Sequence, residues 1–325
     1  MSSRPVLSVV GPVYNEEHSL AEFHARLSRE LQALNLTYEI IYVNDGSADR
    51  TAEILRRLRA EDERVKVLHF SRNFGHQLAI TAGIDHAAGQ ACVVMDTDGQ
   101  DPPEIIGKLV AAWREGFEVV YAVRSRREKE SLFKKATAAL FYRLMRSITT
   151  VNIPLDAGDF RLMDHKVVEV MRQLRETNRF MRGLTSWAGF RQTKVEYVRK
   201  ARLAGSTHYP LKKMVRFALD GITSFSPEPL RWVFYCGLFT FILSFAIGFW
   251  AAYVKYFTDT AVQGWTSLIM VILFLGGVQL LSVGVLGEYL GRVLEEVKRR
   301  PLYVVRDAEG FPAPVGSETY RITRS

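Results

Sequence analysis

Charge is missing from two long stretches of this chain. Trp232 to Val254 contains no charged residue, and neither does Thr260 to Gly287. Each exceeds the about 20 helical residues that cross a hydrocarbon core. Buried core helices seldom run so far without a charge, so two membrane spans are expected, over residues 231–255 and 264–288. Cysteine is nearly absent as well. Cys92 and Cys236 have no metal-type spacing and give no disulfide framework, so both read as packing residues. The N-terminus lacks a basic segment followed by an apolar run, so export of the first 230 residues is not expected. No internal repeat is present, which sets solenoid architectures aside.

What is abundant is positive charge, at a formal net +8 over 325 residues. Much of it flanks the uncharged runs. Arg199, Lys200, Arg202, Lys212, Lys213, Arg216 and Arg231 precede the first, and Arg292, Lys298, Arg299 and Arg300 follow the second. The connector, Lys255 to Asp259, carries only Lys255. Both flanks are therefore expected in the cytoplasm, with a multi-pass hairpin in the cell (inner) membrane. Attraction to anionic headgroups accounts for the basic excess more simply than nucleic acid does. Between Pro210 and Ser226, Leu211, Met214, Val215, Ala218, Leu219 and Ile222 alternate with Lys212, Lys213 and Arg216, the pattern of an amphipathic interface helix. The expected organisation is a cytoplasmic catalytic domain over 1–209, an interface helix over 210–229, the hairpin over 230–291 and a cytoplasmic tail over 292–325. From Asp307 on, Gly and Pro predict a loosely ordered tail.

The first half alternates apolar runs with helical patterns. Strands are expected at Val6 to Val10, Tyr38 to Val43, Val65 to Phe70, Ala91 to Met95 and Val119 to Val123. Helices are expected at Glu17 to Leu34, Ala48 to Ala60 and Gln77 to Ala88. This alternation predicts an α/β fold, a parallel sheet with helices on both faces. Ligands then bind beyond the carboxyl ends of the strands. Polar motifs stand there: Pro12 to Glu16, Asn44 to Ser47, Ser71 to Gly75, Asp96 to Gln100, and Arg124.

The Asp96-Thr97-Asp98-Gly99-Gln100-Asp101-Pro102-Pro103-Glu104 run says most about chemistry. Carboxylates at i and i+2 of an extended segment point to one side. Just past a strand end, Asp96 and Asp98 make a hard-oxygen site suited to Mg²⁺ or Mn²⁺. Such an ion could hold a nucleotide diphosphate and neutralise a phosphate leaving group.

Four motifs carry a resemblance: Pro12 to Glu16, Asn44 to Ser47, Asp96 to Glu104, and Gly287-Glu288-Tyr289-Leu290-Gly291-Arg292. Together with the hairpin they resemble family 2 glycosyltransferases of the polyisoprenyl-phosphate subgroup, which includes bactoprenol glucosyltransferases and dolichol-phosphate mannose synthases. The resemblance implies a GT-A (Rossmann-like), mostly parallel sheet domain, followed by the interface helix and a transmembrane hairpin. It also implies transfer of a hexose, glucose from UDP-glucose first, to undecaprenyl phosphate with inversion. GDP-mannose, UDP-galactose, a UDP-N-acetylhexosamine and UDP-aminoarabinose are the alternative donors. A processive polysaccharide synthase and a non-catalytic nucleotide-binding scaffold are the rival classes. A homo-oligomer, as a tetramer, is implied too, with Val304-Val305 pairing with a neighbouring chain.

By the same resemblance Pro12, Tyr14, Glu16, Asp45 and Gly46 hold the nucleotide, with Asp96 and Asp98 at its diphosphate. Asp96, Asp98 and Gln100 hold the metal. Arg124, Lys134, Lys135, Asp159, Arg161 and Arg202 stand at the acceptor phosphate. Asp98, Arg124, Lys135 and Arg202 are the candidate catalytic residues. Because the acceptor phosphate is already ionised, with a second pKa of about 6, Asp98 reads better as a metal ligand than as a general base. Three positions depart from the family: Gly99 replaces a usual apolar residue, Thr97 stands where Ala is frequent, and His208 replaces a usual Lys.

Overall fold

The computed structural model describes residues 4–124, 157–197, 228–257 and 264–311. The described residues form two units, one of 4–124, 157–197 and 301–311, the other of 228–257 and 264–300. Helices and strands are numbered in chain order among these residues.

The first unit is built on eight strands: β1 (Leu7–Val13), β2 (Tyr38–Asn44), β3 (Val65–Phe70), β4 (Ala91–Val94), β5 (Val119–Arg124), β6 (Ala157–Asp164), β7 (Gln192–Tyr197) and β8 (Val305–Glu309). They lie in one sheet in the order β7-β5-β6-β4-β1-β2-β3-β8. Strand β1 pairs in parallel with β2 and β4, β2 with β3, and β5 with β7. Strand β6 runs antiparallel between β4 and β5, and β8 runs antiparallel on the far edge. The sheet is thus mixed but mostly parallel, the GT-A arrangement that the resemblance implies. Both β1 and β2 are buried along their whole length, which explains their continuous apolar runs.

Helices α1 (Leu20–Ala33), α2 (Thr51–Glu61) and α3 (His76–His86) follow β1, β2 and β3. Helix α1 buries Leu20, Phe23, Leu27 and Leu31, a three-to-four residue stripe facing the sheet. A short 3₁₀ turn at Pro103–Ile105 leads into α4 (Ile106–Arg114). Helix α5 (His165–Gln173) is capped by Asp164, which accepts Lys166 N at 3.0 Å and Trp113 Nε1 at 2.7 Å. Helix α6 (Met181–Trp187) precedes β7.

Chain order fixes where a ligand binds. From β1 the chain steps outward through β2 and β3, then crosses back to place β4 on the other side of β1. The point where strand order reverses, past the carboxyl ends of β1 and β4, leaves a crevice between diverging loops.

One expectation is corrected at the C-terminus. Asp307 to Glu309, expected in a loose tail, belong to the edge strand β8 of the sheet, with His69 opposite Asp307 and Phe70 opposite Val305. Ser71 N donates to Val304 O at 3.0 Å, so the pairing expected with a neighbouring chain is made with this chain's own β3. The Tyr303 ring stacks on Phe70 at 5.2 Å, and its hydroxyl bonds Asp85 Oδ2 at 2.8 Å. The strand reads Val-Arg-Asp-Ala-Glu because an edge buries little and tolerates charge.

The second unit holds α7 (Glu228–Phe257) and α8 (Trp265–Val297), which contact each other. Both helices outrun the spans expected from the uncharged stretches. Among the described residues one segment, Phe274–Val297, is long and apolar enough to cross a membrane. Phe239, Phe249 and Trp250 on α7 and Leu280, Leu281 and Leu290 on α8 are exposed. An apolar surface of this kind demands a cover other than water. The expected interface helix lies almost wholly outside the described residues, as do Lys134, Lys135, Arg202 and His208.

Candidate active site

Four loops meet at the switch point. The first leaves β1 at Pro12 and Val13. Tyr14 is half exposed, and Asn15 takes a left-handed φ of 54°. This loop is tied to the one after β2: Asn15 N donates to Ser47 Oγ at 3.0 Å, Ala48 N to Asn15 Oδ1 at 2.9 Å, and Glu16 N to Thr51 Oγ1 at 2.9 Å.

The β2 loop is in turn tied to the β3 loop. Asp45 is buried, and its carboxylate accepts Phe74 N at 2.7 Å and Gly75 N at 2.9 Å. Burial pushes its pKa up against the pull of these two bonds. Gly46 has φ +70°, and a Cβ there would stand 2.5 Å from Arg72 C and 2.6 Å from Asn73 N. Two backbones cross at this point with no room for a side chain, which is what the glycine supplies.

The loop after β4 carries Asp96 to Asp101. Thr97 Oγ1 donates to Pro12 O at 2.8 Å, strapping this loop to the end of β1. Asp98 Oδ1 accepts Gln100 N at 3.0 Å around Gly99, whose φ is +76°. Gln100 is buried, and its Nε2 has no hydrogen-bond partner among the described residues. Asp101 is buried, with Oδ1 accepting the Tyr197 hydroxyl at 2.9 Å.

Asp96 faces a strongly charged neighbourhood. Its Oδ1 is buried without a hydrogen-bond partner among the described residues, 3.4 Å from His76 Nε2, although 36% of the side chain is exposed. Burial, then repulsion from Asp101, Asp159 and Asp98, push its carboxyl up to about 7, with His76 pulling the other way. His76 Nε2 also stands 3.5 Å from Asp159 Oδ2. Asp159 further accepts Gln77 Nε2 at 2.9 Å and lies 3.5 Å from Arg182 Nε. Burial would raise Asp159, but His76, Arg182 and Arg161 outweigh it and hold the carboxyl well below the usual range. Burial would likewise lower His76, but Asp159 and Asp96 outweigh it and raise it.

A divalent ion fits this loop in one way. Among the described residues no three His, Cys, Asp or Glu side chains are grouped closely enough to form a closed cage. Mg²⁺ is commonly held by one or two carboxylates plus substrate phosphates and water. Asp96, with an unsatisfied inward oxygen among like charges, and Asp98 two residues on, supply that kind of partial shell.

Of the residues singled out in the sequence, Pro12, Tyr14, Glu16, Asp45, Gly46, Asp96, Asp98 and Gln100 lie on the loops that meet here. Arg124 ends β5, opposite Tyr197 of β7, and its side chain is outside the description. Arg161 is placed differently from its expected position at a phosphate. It is buried, bonding Thr185 Oγ1 and, at 2.9 Å, Gly158 O, and burial lowers its pKa to about 10. Its charge acts from behind, on Asp159. Sequence reasoning gave no role to His76, Gln77, Asp101, Arg182 or Tyr197. The signals were position, since His76 and Gln77 directly follow the Ser71 to Gly75 motif at a helix start, and the likeness of the Ser71 to His76 stretch to bactoprenol glucosyltransferases.

Comparison with known proteins agrees with this geometry. The glycosyl transferase family 2 model matches residues 8–172, and the GtrB C-terminal hairpin model matches residues 228–293. An uncharacterized glycosyltransferase of Bacillus subtilis (strain 168) is 53% identical, over 96% of this chain and 96% of that one. The SfII prophage-derived bactoprenol glucosyl transferase of Shigella flexneri is 45% identical, over 92% of this chain and 97% of that one. The prophage bactoprenol glucosyl transferase homolog of Escherichia coli (strain K12) is 42% identical, over 92% and 98%.

Proposed function

Since this chain belongs to glycosyl transferase family 2 and carries a GtrB-type C-terminal hairpin, we propose that it glucosylates undecaprenyl phosphate, with UDP-glucose as donor, at the cytoplasmic face of the membrane. The observation that carries the reading is the end-to-end match, hairpin included, to relatives named bactoprenol glucosyl transferase.

In the proposed reaction a phosphate oxygen of the lipid attacks the anomeric carbon. The bond from that carbon to the UDP oxygen breaks, and UDP leaves with the electron pair. The anomeric configuration inverts. The nucleophile arrives ionised, so the protein's work is placement and charge control. Tyr14, Glu16, Asp45 and Gly46 line the base and ribose side. Asp96 and Asp98, with Gln100 beside them, would hold a divalent ion, Mg²⁺ or Mn²⁺. That ion, when bound, neutralises charge on the departing diphosphate. Arg124, Lys134, Lys135 and Arg202 collect the lipid phosphate against the repulsion of the donor. Asp159 has its charge fixed by Arg182 and His76.

Topology supports the cytoplasmic assignment. Strand β3 precedes the helix pair and β8 follows it, yet both belong to one sheet. This pairing supports a single side of the bilayer for both flanks of the hairpin, and their basic residues favour the cytoplasm.

The test is to incubate membranes holding the protein with labelled nucleotide sugars, one at a time, and undecaprenyl phosphate. A chloroform-soluble labelled product formed best from UDP-glucose is expected. A labelled polymer, or nucleotide binding without turnover, would refute the reading. A lipid product that kept the donor's anomeric configuration would refute inversion alone.

A further inference from the structure

His76 directly follows the Ser71 to Gly75 motif, and no role in the site has been given to it. It is the first residue of α3, directly after Gly75, whose N–H is held by Asp45. Its Nε2 stands 3.4 Å from Asp96 Oδ1 and 3.5 Å from Asp159 Oδ2. One ring N–H thus faces two carboxylates and can serve only one of them well. Asp159 has other partners besides His76, since Gln77 Nε2 bonds the same oxygen at 2.9 Å and Arg182 lies by the other. Gln77 is itself fixed, its Oε1 accepting Met181 N at 2.9 Å. Asp96 is the more dependent partner. Among the described residues its Oδ1 is buried with no hydrogen bond, and His76 Nε2 stands beside it at 3.4 Å.

We propose that His76 is a positioning residue for Asp96: it fixes the carboxylate in the orientation that receives the divalent ion, while Asp159, braced by Gln77 and Arg182, fixes His76. The nucleotide motif and the aspartate motif, separate in sequence, are then one mechanical unit. Asp45 holds the Gly75 backbone, Gly75 sets the start of α3, and the first side chain of α3 orients Asp96. Restraining a ligand's rotamer before the metal arrives raises metal affinity in the way that outer partners of metal ligands generally do, by about 10–100-fold where they are lost.

This rests on the reading of Asp96 as a metal ligand, so the experiment carries a separate arm for that reading. Full-length protein in detergent is titrated with Mn²⁺ in the presence of UDP, and bound ion is read from the loss of the free Mn²⁺ paramagnetic resonance signal. His76→Ala is expected to weaken Mn²⁺ binding by about tenfold. His76→Gln, which keeps an N–H of similar reach, is expected to recover most of it. In steady-state assays the His76→Ala loss should fall more on KM for the metal than on kcat. Unchanged Mn²⁺ affinity in His76→Ala, equal losses in the Ala and Gln variants, or a loss confined to kcat would overturn the proposal. If His76→Ala does not fold, as judged by thermal unfolding, His76→Asn takes its place under the same criteria. Asp96→Asn separates the two ideas. If it leaves Mn²⁺ affinity intact, the metal reading of Asp96 fails. If it abolishes affinity while His76→Ala does not change it, only the role of His76 fails.

Discussion

Replacing Gly46 with alanine isolates the steric crossing on which the nucleotide side of the site is built. The comparison variant is Gly99→Ala. The two glycines have nearly the same left-handed φ, +70° and +76°, so each substitution incurs the same backbone cost of roughly 1–2 kcal/mol. They differ in surroundings. A Cβ at Gly99 meets nothing within 4 Å among the described residues, whereas one at Gly46 stands 2.5 Å from Arg72 C and 2.6 Å from Asn73 N. Those neighbours are backbone atoms and cannot rotate away. Forcing a methyl into such a contact adds about 1–3 kcal/mol. Gly46→Ala should therefore destabilise by about 3 kcal/mol and Gly99→Ala by about half that. For a folded unit of this size, 1 kcal/mol moves Tm by roughly 2–4 °C, so the two should unfold roughly 3–6 °C apart. The assay is thermal unfolding of purified protein in detergent at one fixed scan rate. A second readout is KM for the nucleotide sugar. Displacing Arg72 and Asn73 pulls Phe74 and Gly75 off the Asp45 carboxylate, so KM should rise more in Gly46→Ala than in Gly99→Ala. Equal Tm shifts would refute the argument from close approach.

Three further outcomes are expected. Arg124→Ala should lower turnover at least tenfold without lowering Tm appreciably, and near-normal activity in the lipid-product assay would remove Arg124 from the acceptor site. Tyr303→Phe removes the hydroxyl bond to Asp85 and should cost about 1 kcal/mol, while Tyr303→Ala also removes the stack on Phe70 and should open the C-terminal strand to limited proteolysis. Burial holds the His69 pKa below its ordinary value, so the folded chain binds fewer protons there than the unfolded chain once pH drops below about 6.5. Stability should fall as pH is lowered through that range, by up to about 1.4 kcal/mol per pH unit from this group. The Tm loss between pH 7.5 and 5.5 should shrink in His69→Gln, and an undiminished loss would exclude His69 as its source.

The elements that could be read from the sequence are those whose burial comes from the sheet interior. Val65 to Phe70 is a strand with the expected bounds, and the runs at β1, β2, β4 and β5 differ from expectation only at their ends. The strand-end loops were legible for the same reason, since a parallel sheet puts its ligand crevice there. Strand β6 was not. It contains Asp159 and Arg161, and charges at alternate positions read as loop until Arg182, Gln77, His76 and Thr185 are seen to satisfy them. Strands β7 and β8 are edges, where the exposed face carries Lys194 and Glu196, or Arg306 and Asp307, and the apolar pattern thins. The site divides in the same way. Asp45, Asp96 and Asp98 announce themselves by motif. His76 facing Asp159 depends on an antiparallel strand inserted between two others, which no local pattern encodes.

The strand that finishes the sheet is also the last of the described elements to be synthesised. Strand β8 cannot cover β3 until α7 and α8 have both left the ribosome. At about 5–20 residues per second, the chain between β3 and β8 takes roughly 10–50 s to make. During that interval Phe70 and the β3 edge, on which the Asp45-anchored loop hangs, lack their covering strand. Completion of the fold is thereby timed to follow synthesis of the membrane segment, and a chain truncated before the hairpin leaves an open sheet edge for quality control to recognise.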